Sequence, residues 1–218
     1  MKTKRERVKI PEAWKDAWKL KAKGHEALWK MHQVLRQEVK ERWNRAVPFA
    51  DELFDRWERA RFLGFGSGAS IYDSCLVRGN VKVGEGTWIG PFTVLDGDGG
   101  LEIGKYCNIS AGAQIYTHDS VKRTLTGGKV EQVFKATRIG DCCYIGPLSI
   151  VSRGVTVGDH SVIGANSFVN KDIPAFSIAV GSPARIIGHV ELVGDCDVRL
   201  VYDRKEREHG GIKSSARK

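Results

Sequence analysis

Residues 139–169 read IGDCCYIGPLSIVSRGVTVGDHSVIGANSFV, and an aliphatic residue stands at every sixth position: Ile139, Ile145, Val151, Val157, Ile163 and Val169. A period of six suits neither an α-helix, which repeats every 3.6 residues, nor a simple strand, which repeats every two. It suits short strands joined by sharp turns into triangular coils, three hexads to a coil. Upstream the same phase runs through Ile71, Val77, Val83, Ile89 and Leu95, slips by two, and resumes at Ile103, Ile109 and Ile115. These fourteen hexads predict about five coils stacked at the ~4.8 Å spacing of neighbouring strands. The aliphatic is expected inside. Four positions on, a small or β-branched residue such as Cys75, Thr87, Cys107, Cys143, Ser149 or Ser161 fits where the coil is tight. The Gly that often follows the aliphatic, as in Ile145-Gly146, is expected to supply the backbone geometry of the corner.

The repeat breaks between Ile115 and Ile139. Forced into hexads, the intervening segment would bury Glu131 in an apolar prism, at a cost of several kcal/mol (~). A loop over 119–138 extruded from the coil is the better reading, with Thr126-Gly-Gly-Lys129 turning at its tip. Tyr116-Thr-His118-Asp119 stands at its start. A His where a rigid repeat opens into a projecting loop is well placed for general-base chemistry, because an imidazole titrates near neutral pH. The competing reading of a lone His is a structural one.

Outside the repeat the composition changes. Only Gly24 of the 25 glycines precedes residue 63, whereas five of the six tryptophans do: Trp14, Trp18, Trp29, Trp43 and Trp57. Residues 1–65 read as a helical segment, with Leu28, Met31, Leu35 and Val39 at helical steps, Phe49, Leu53, Trp57 and Ala60 repeating the pattern, and breaks at Gly24 and Val47-Pro48. Residues 1–62 hold 17 Lys+Arg against 10 Asp+Glu, a net +7 within a chain total of +9. Acidic residues are interleaved and no aromatic-basic RNA motif is present, so helices packing their aromatic faces on the protein or a neighbouring subunit are expected, rather than a nucleic-acid or membrane surface. No apolar run is long enough for a transmembrane segment, and none behind the basic N-terminus resembles a signal peptide; the expectation is a cytoplasmic protein. Five cysteines with no C-x-x-C pair argue against a disulfide framework or a zinc ribbon. Residues 191–218 are expected to be an extension ending in a basic, disordered tail from about Arg204.

Residues 66–190 resemble the hexapeptide-repeat acyltransferases. The match rests on the hexads, on Ile115-Tyr-Thr-His-Asp-Ser120, and on Asn170-Lys171-Asp172-Ile173-Pro174 and Gly181-Ser182-Pro183-Ala184-Arg185. The resemblance implies a mainly β fold, a left-handed parallel β-helix, forming a homotrimer with active sites between subunits. It implies an acetyl-CoA-dependent O- or N-acetyltransferase, similar to the galactoside, maltose and xenobiotic enzymes and to sugar acyltransferases of surface-polysaccharide biosynthesis. His118 matches the catalytic base. Asp96, Tyr116, Asp119 and Tyr144 match the substrate side, and Gly146, Ala165, Lys171 and Arg185 the CoA side. Pro147 stands where a Ser is frequent, Gly188 where a basic residue is, and Pro91 where an Asn is expected. Tyr144 alternatively makes a subunit contact. The implied acceptor is a sugar hydroxyl, with the amino group of a nucleotide-linked amino sugar as alternative and a non-catalytic β-helical scaffold as the rival from another class. No metal is implied: His118, His160 and His189 lack the close pairing of a zinc site. Gly64-Phe-Gly66-Ser-Gly68-Ala69 has no strand before it and is no dinucleotide site.

Overall fold

The computed structural model describes residues 12–194 and 197–203, with side chains from residue 24 onward. The tail from Arg204 lies outside the described residues, as do the side chains of Trp14 and Trp18. Two compact units divide at Leu53 and Phe54.

The first unit is helical. Helix α1 (Glu12–Trp43) runs through Gly24 without the expected break. A helical glycine costs about 1 kcal/mol, which a helix of this length absorbs. The chain then turns at Asn44 (φ 50°), and Pro48 starts α2 (Phe49–Leu53), so the second break falls where the sequence puts it. His32 Nδ1 meets the buried Glu52 carboxylate at 2.6 Å and joins α2 to α1.

The second unit is the β-helix, five coils and a closing strand. Its interior aliphatics stack on three faces: Ile71, Ile89, Ile109, Ile145 and Ile163 on the first; Val77, Leu95, Ile115, Val151 and Val169 on the second; Val83, Ile103, Ile139, Val157 and Ile173 on the third. All are buried except Val77, which is partly covered. A prism with an apolar interior needs its ends covered. The first end is closed by α3 (Arg56–Phe62), which caps itself through Asp55 and places Ala60 in the core. Helix α3 thus belongs with the coils, which moves the boundary from 65 back to 53. At the other end Ser177–Val180 continues the first face and pairs antiparallel with Arg185–Val193, itself hairpinned to Asp197–Tyr202. The expected boundary at 190 therefore falls inside a strand. Among the described residues no helix is long and apolar enough to cross a membrane.

Two roles within the hexad differ from the sequence reading. The left-handed corner residue lies three positions after the aliphatic, where Gly154 (φ 73°) but also Leu148 (φ 59°) and Asn166 (φ 55°) stand. The Gly directly after the aliphatic is required by closeness: a Cβ on Gly146 would lie 2.6 Å from the Ala165 amide nitrogen of the next coil. The small residue at the fourth position also does more than fit. Thr87, Cys107, Cys143 and Ser149 each donate to a carbonyl one coil on, those of Gly104, Gly140, Gly158 and Gly164 at 2.8–3.1 Å. These bonds tie each coil to a backbone carbonyl of the next.

Candidate active site

The two irregularities of the repeat occur at one corner of successive coils. The second coil takes two extra residues between Leu95 and Ile103, and the third takes the whole loop between Ile115 and Ile139. Because both follow the second face, Asp96 and His118 are brought side by side although 22 positions apart.

Asp96 is 1% exposed. Its Oδ2 accepts from the Thr117 amide at 2.9 Å and meets His118 Nδ1 at 2.6 Å, while Oδ1 accepts from the Asp98 amide at 3.3 Å. Thr117 is held on both sides: its hydroxyl donates to the Asp96 carbonyl and accepts from the Gly99 amide, both at 2.8 Å. Burial by itself would raise the Asp96 carboxyl, but the hydrogen bonds from Thr117, His118 and Asp98 outweigh it and hold the group below its ordinary range. The carboxylate is therefore ionised at neutral pH and can only accept. His118 Nδ1 must carry the proton toward it, which leaves the lone pair of the neutral imidazole on Nε2. The ring is further fixed by Phe134, stacked at 5.8 Å and 30°.

Phe134 arrives through the neck of the loop, where His118 pairs with Phe134 and Asp119 with Val133 in an antiparallel ladder. Beyond it the loop forms a short helix, α4 (Val121–Leu125), and turns at Gly127 and Gly128, both with positive φ, as the sequence anticipates. Asp119 accepts from the Val121 amide and is ion-paired with Arg153 of the next coil, whose guanidinium holds its carboxyl below the usual range.

The other residues singled out from the sequence fall in two places. Tyr116 is half-buried, its hydroxyl donating to Gln114 at 2.7 Å. Lys171 is exposed at the same corner as His118, on the fifth coil. Tyr144 is exposed on the first face, and buried Gly146 and exposed Ala165 stand at the corner after that face. Arg185 opens the closing hairpin, exposed, and donates to the Ala184 carbonyl at 3.0 Å. The chain thus gathers Asp96, Tyr116, His118, Asp119 and Lys171 along one edge and sets Tyr144, Gly146 and Ala165 across the second face from it. Within the chain both carboxylates are engaged, Asp96 by Thr117 and His118 and Asp119 by Val121 and Arg153. Thr117, Phe134 and Arg153 were not anticipated, although Arg153 follows Val151 at the corner that carries the loop.

Asp96, Asp98 and His118 offer three ligand atoms within 4.8 Å of one another. Within the chain Asp96 and His118 are engaged with each other and Asp98 is paired with Arg78. A groove of about 360 Å³ lined by Lys82, Glu102, Arg138, Asp141 and Asp159 lies on the third face and does not include His118.

Residues 136–171 match the family model described as bacterial transferase hexapeptide (six repeats). Over 149 residues the chain is 32% identical to the putative colanic acid biosynthesis acetyltransferase WcaF of Escherichia coli K12, covering 64% of this chain and 78% of that one. The chain belongs to the hexapeptide-repeat acetyltransferases. Within this family it is also 30% identical to the galactoside O-acetyltransferase of Escherichia coli K12 over 128 residues, 50% of this chain and 63% of the length of that relative. Among solved structures, the hexapeptide-repeat acetyltransferase VCA0836 of Vibrio cholerae, complexed with acetyl coenzyme A, superposes with a TM-score of 0.56 at 26% identity, covering 77% of this chain and 89% of that chain.

Proposed function

We propose that this acetyltransferase uses acetyl-CoA to acetylate a sugar hydroxyl, with His118 as general base. The observation that carries the reading is the hydrogen bond from His118 Nδ1 to the buried, ionised Asp96, which presets Nε2 as the proton acceptor. Nε2 takes the proton of the acceptor hydroxyl while its oxygen bonds to the acetyl carbonyl carbon; the carbon–sulfur bond breaks, and the imidazolium returns the proton to the departing sulfur. Asp96 is a positioning residue that stabilises the imidazolium formed in between. Bound acetyl-CoA supplies the activated acyl group. The CoA side fits the edge that holds the small residues Gly146 and Ala165, with Lys171 and Arg185 as exposed cations suited to phosphates. Tyr144 and that edge lie across a face from His118, which supports a homotrimer in which a neighbouring copy completes each site. The relatives named for galactoside and colanic acid chemistry support a sugar or nucleotide-sugar acceptor.

Free-thiol release from acetyl-CoA, measured over simple sugars, nucleotide sugars and nucleotide amino sugars, tests the proposal. Turnover on a hydroxyl acceptor is the expected outcome. Turnover confined to amino sugars overturns the O-transfer assignment, and failure to bind CoA overturns the reading as a whole.

A further inference from the structure

The corner after the first face carries an apolar column. Pro91-Phe92, Ala111-Gly112 and Pro147-Leu148 stand there on the second, third and fourth coils, held in register by the Gly112 amide on the Pro91 carbonyl at 2.9 Å and the Leu148 amide on the Ala111 carbonyl at 3.0 Å. Polar residues bound the column at both ends. On the first coil the Ser74 hydroxyl accepts from the Phe92 amide at 3.4 Å, and on the fifth the Asn166 amide donates to the Pro147 carbonyl at 2.8 Å. Phe92 is 60% exposed and Leu148 64%. Between them Gly112 leaves a notch, and Leu148 leans back into it: its Cδ2 lies 2.7 Å from where a Cβ on Gly112 would stand.

We propose that Leu148, leaning over Gly112, sets the length of the acyl group this enzyme transfers, admitting acetyl and excluding longer chains. The inference rests on the reading of each site as completed by a neighbouring copy. Rotation moves nothing along its axis, so copies standing side by side in a closed ring keep every residue at its own height. His118 and Gly112 belong to the same coil, the third, and the base of one copy therefore faces the notch of the next. Coenzyme A laid along Gly146 and Ala165, on the fourth and fifth coils, brings its acyl end to that height with the methyl toward the notch. An acetyl methyl reaches the Leu148 side chain, and each further methylene has to displace it. The column is apolar only on the coils around His118, which is where an apolar acyl group needs its walls.

Free-thiol release from acetyl-, butyryl- and hexanoyl-CoA over the best acceptor, in wild type and Leu148→Ala, tests this. Wild type should favour acetyl over butyryl by about 100-fold or more in kcat/KM, since each methylene without room costs about tenfold or more. Leu148→Ala removes three carbons, room for the two that butyryl adds and not for the four that hexanoyl adds; its butyryl-to-acetyl ratio should rise about tenfold or more while hexanoyl stays poor. Leu148→Met, close in volume, should keep the wild-type ratio. Wild type using butyryl-CoA as fast as acetyl-CoA overturns the inference and leaves the acetyl-transfer reading standing, whereas no turnover of acetyl-CoA by wild type removes both. An unchanged ratio in Leu148→Ala overturns the inference too. Loss of all turnover in Leu148→Ala together with a smaller assembly on size exclusion assigns the column to subunit contact instead.

Discussion

Replacing Asp96 by Asn isolates the charge behind His118. Both carboxylate oxygens only accept, Oδ2 from His118 and Thr117 and Oδ1 from the Asp98 amide at 3.3 Å. An asparagine therefore turns its NH2 toward Asp98, gives up the longest of these bonds, and keeps an oxygen on His118. The tautomer survives and the negative charge is lost. A hydrogen bond to an ionised group contributes about 1.5–3 kcal/mol, and about 1.4 kcal/mol is tenfold in rate, so kcat should fall about 10- to 150-fold. Thiol release at saturating acetyl-CoA and acceptor reads kcat directly, and a thermal melt run beside it separates catalysis from folding. A kcat within twofold of wild type, or a loss confined to KM, would refute the role given to Asp96.

Three further outcomes follow from the geometry. Gly146→Ala puts a methyl carbon 2.6 Å from the Ala165 amide nitrogen, backbone that cannot swing away; a loss of about 1–3 kcal/mol or more should appear as a lower Tm. Arg153→Met removes the ion pair that ties Asp119 to the fourth coil; cleavage within 119–138 in limited proteolysis should become faster while the melting of the coils barely changes. The Asp96 carboxyl is held below its ordinary 3.8, so its contribution to stability is complete above that value and is lost as pH falls through the lowered one. Acid unfolding of Asp96→Asn should accordingly show a shallower loss below about pH 4 than wild type.

The fold was legible because a single period, six, is imposed by the coil itself: each interior position sees the same narrow prism, so Ile145 and Ile163 are selected alike. The loop was legible for the complementary reason, since Glu131 has no place inside. What the local sequence hid was adjacency across coils. The slip after Leu95 and the loop after Ile115 look unrelated until each is assigned to a face; both then follow the second, and Asp96 must touch the neck that carries His118. The glycine after each aliphatic was also misread, because its constraint comes from the next coil, many residues away in sequence, and not from its own φ. The stacking of Phe134 and the ion pair of Arg153 depend on how the loop folds back, which two-residue ladders do not announce.

The central claim is that Nε2 of His118 takes the acceptor proton, and His118→Ala measured beside wild type tests it most directly. With acetyl-CoA and the best acceptor of the panel saturating, kcat should fall about 10²- to 10⁴-fold, while CoA binding and the thermal melt stay close to wild type. Thiol release at an equal rate in both proteins would contradict the account.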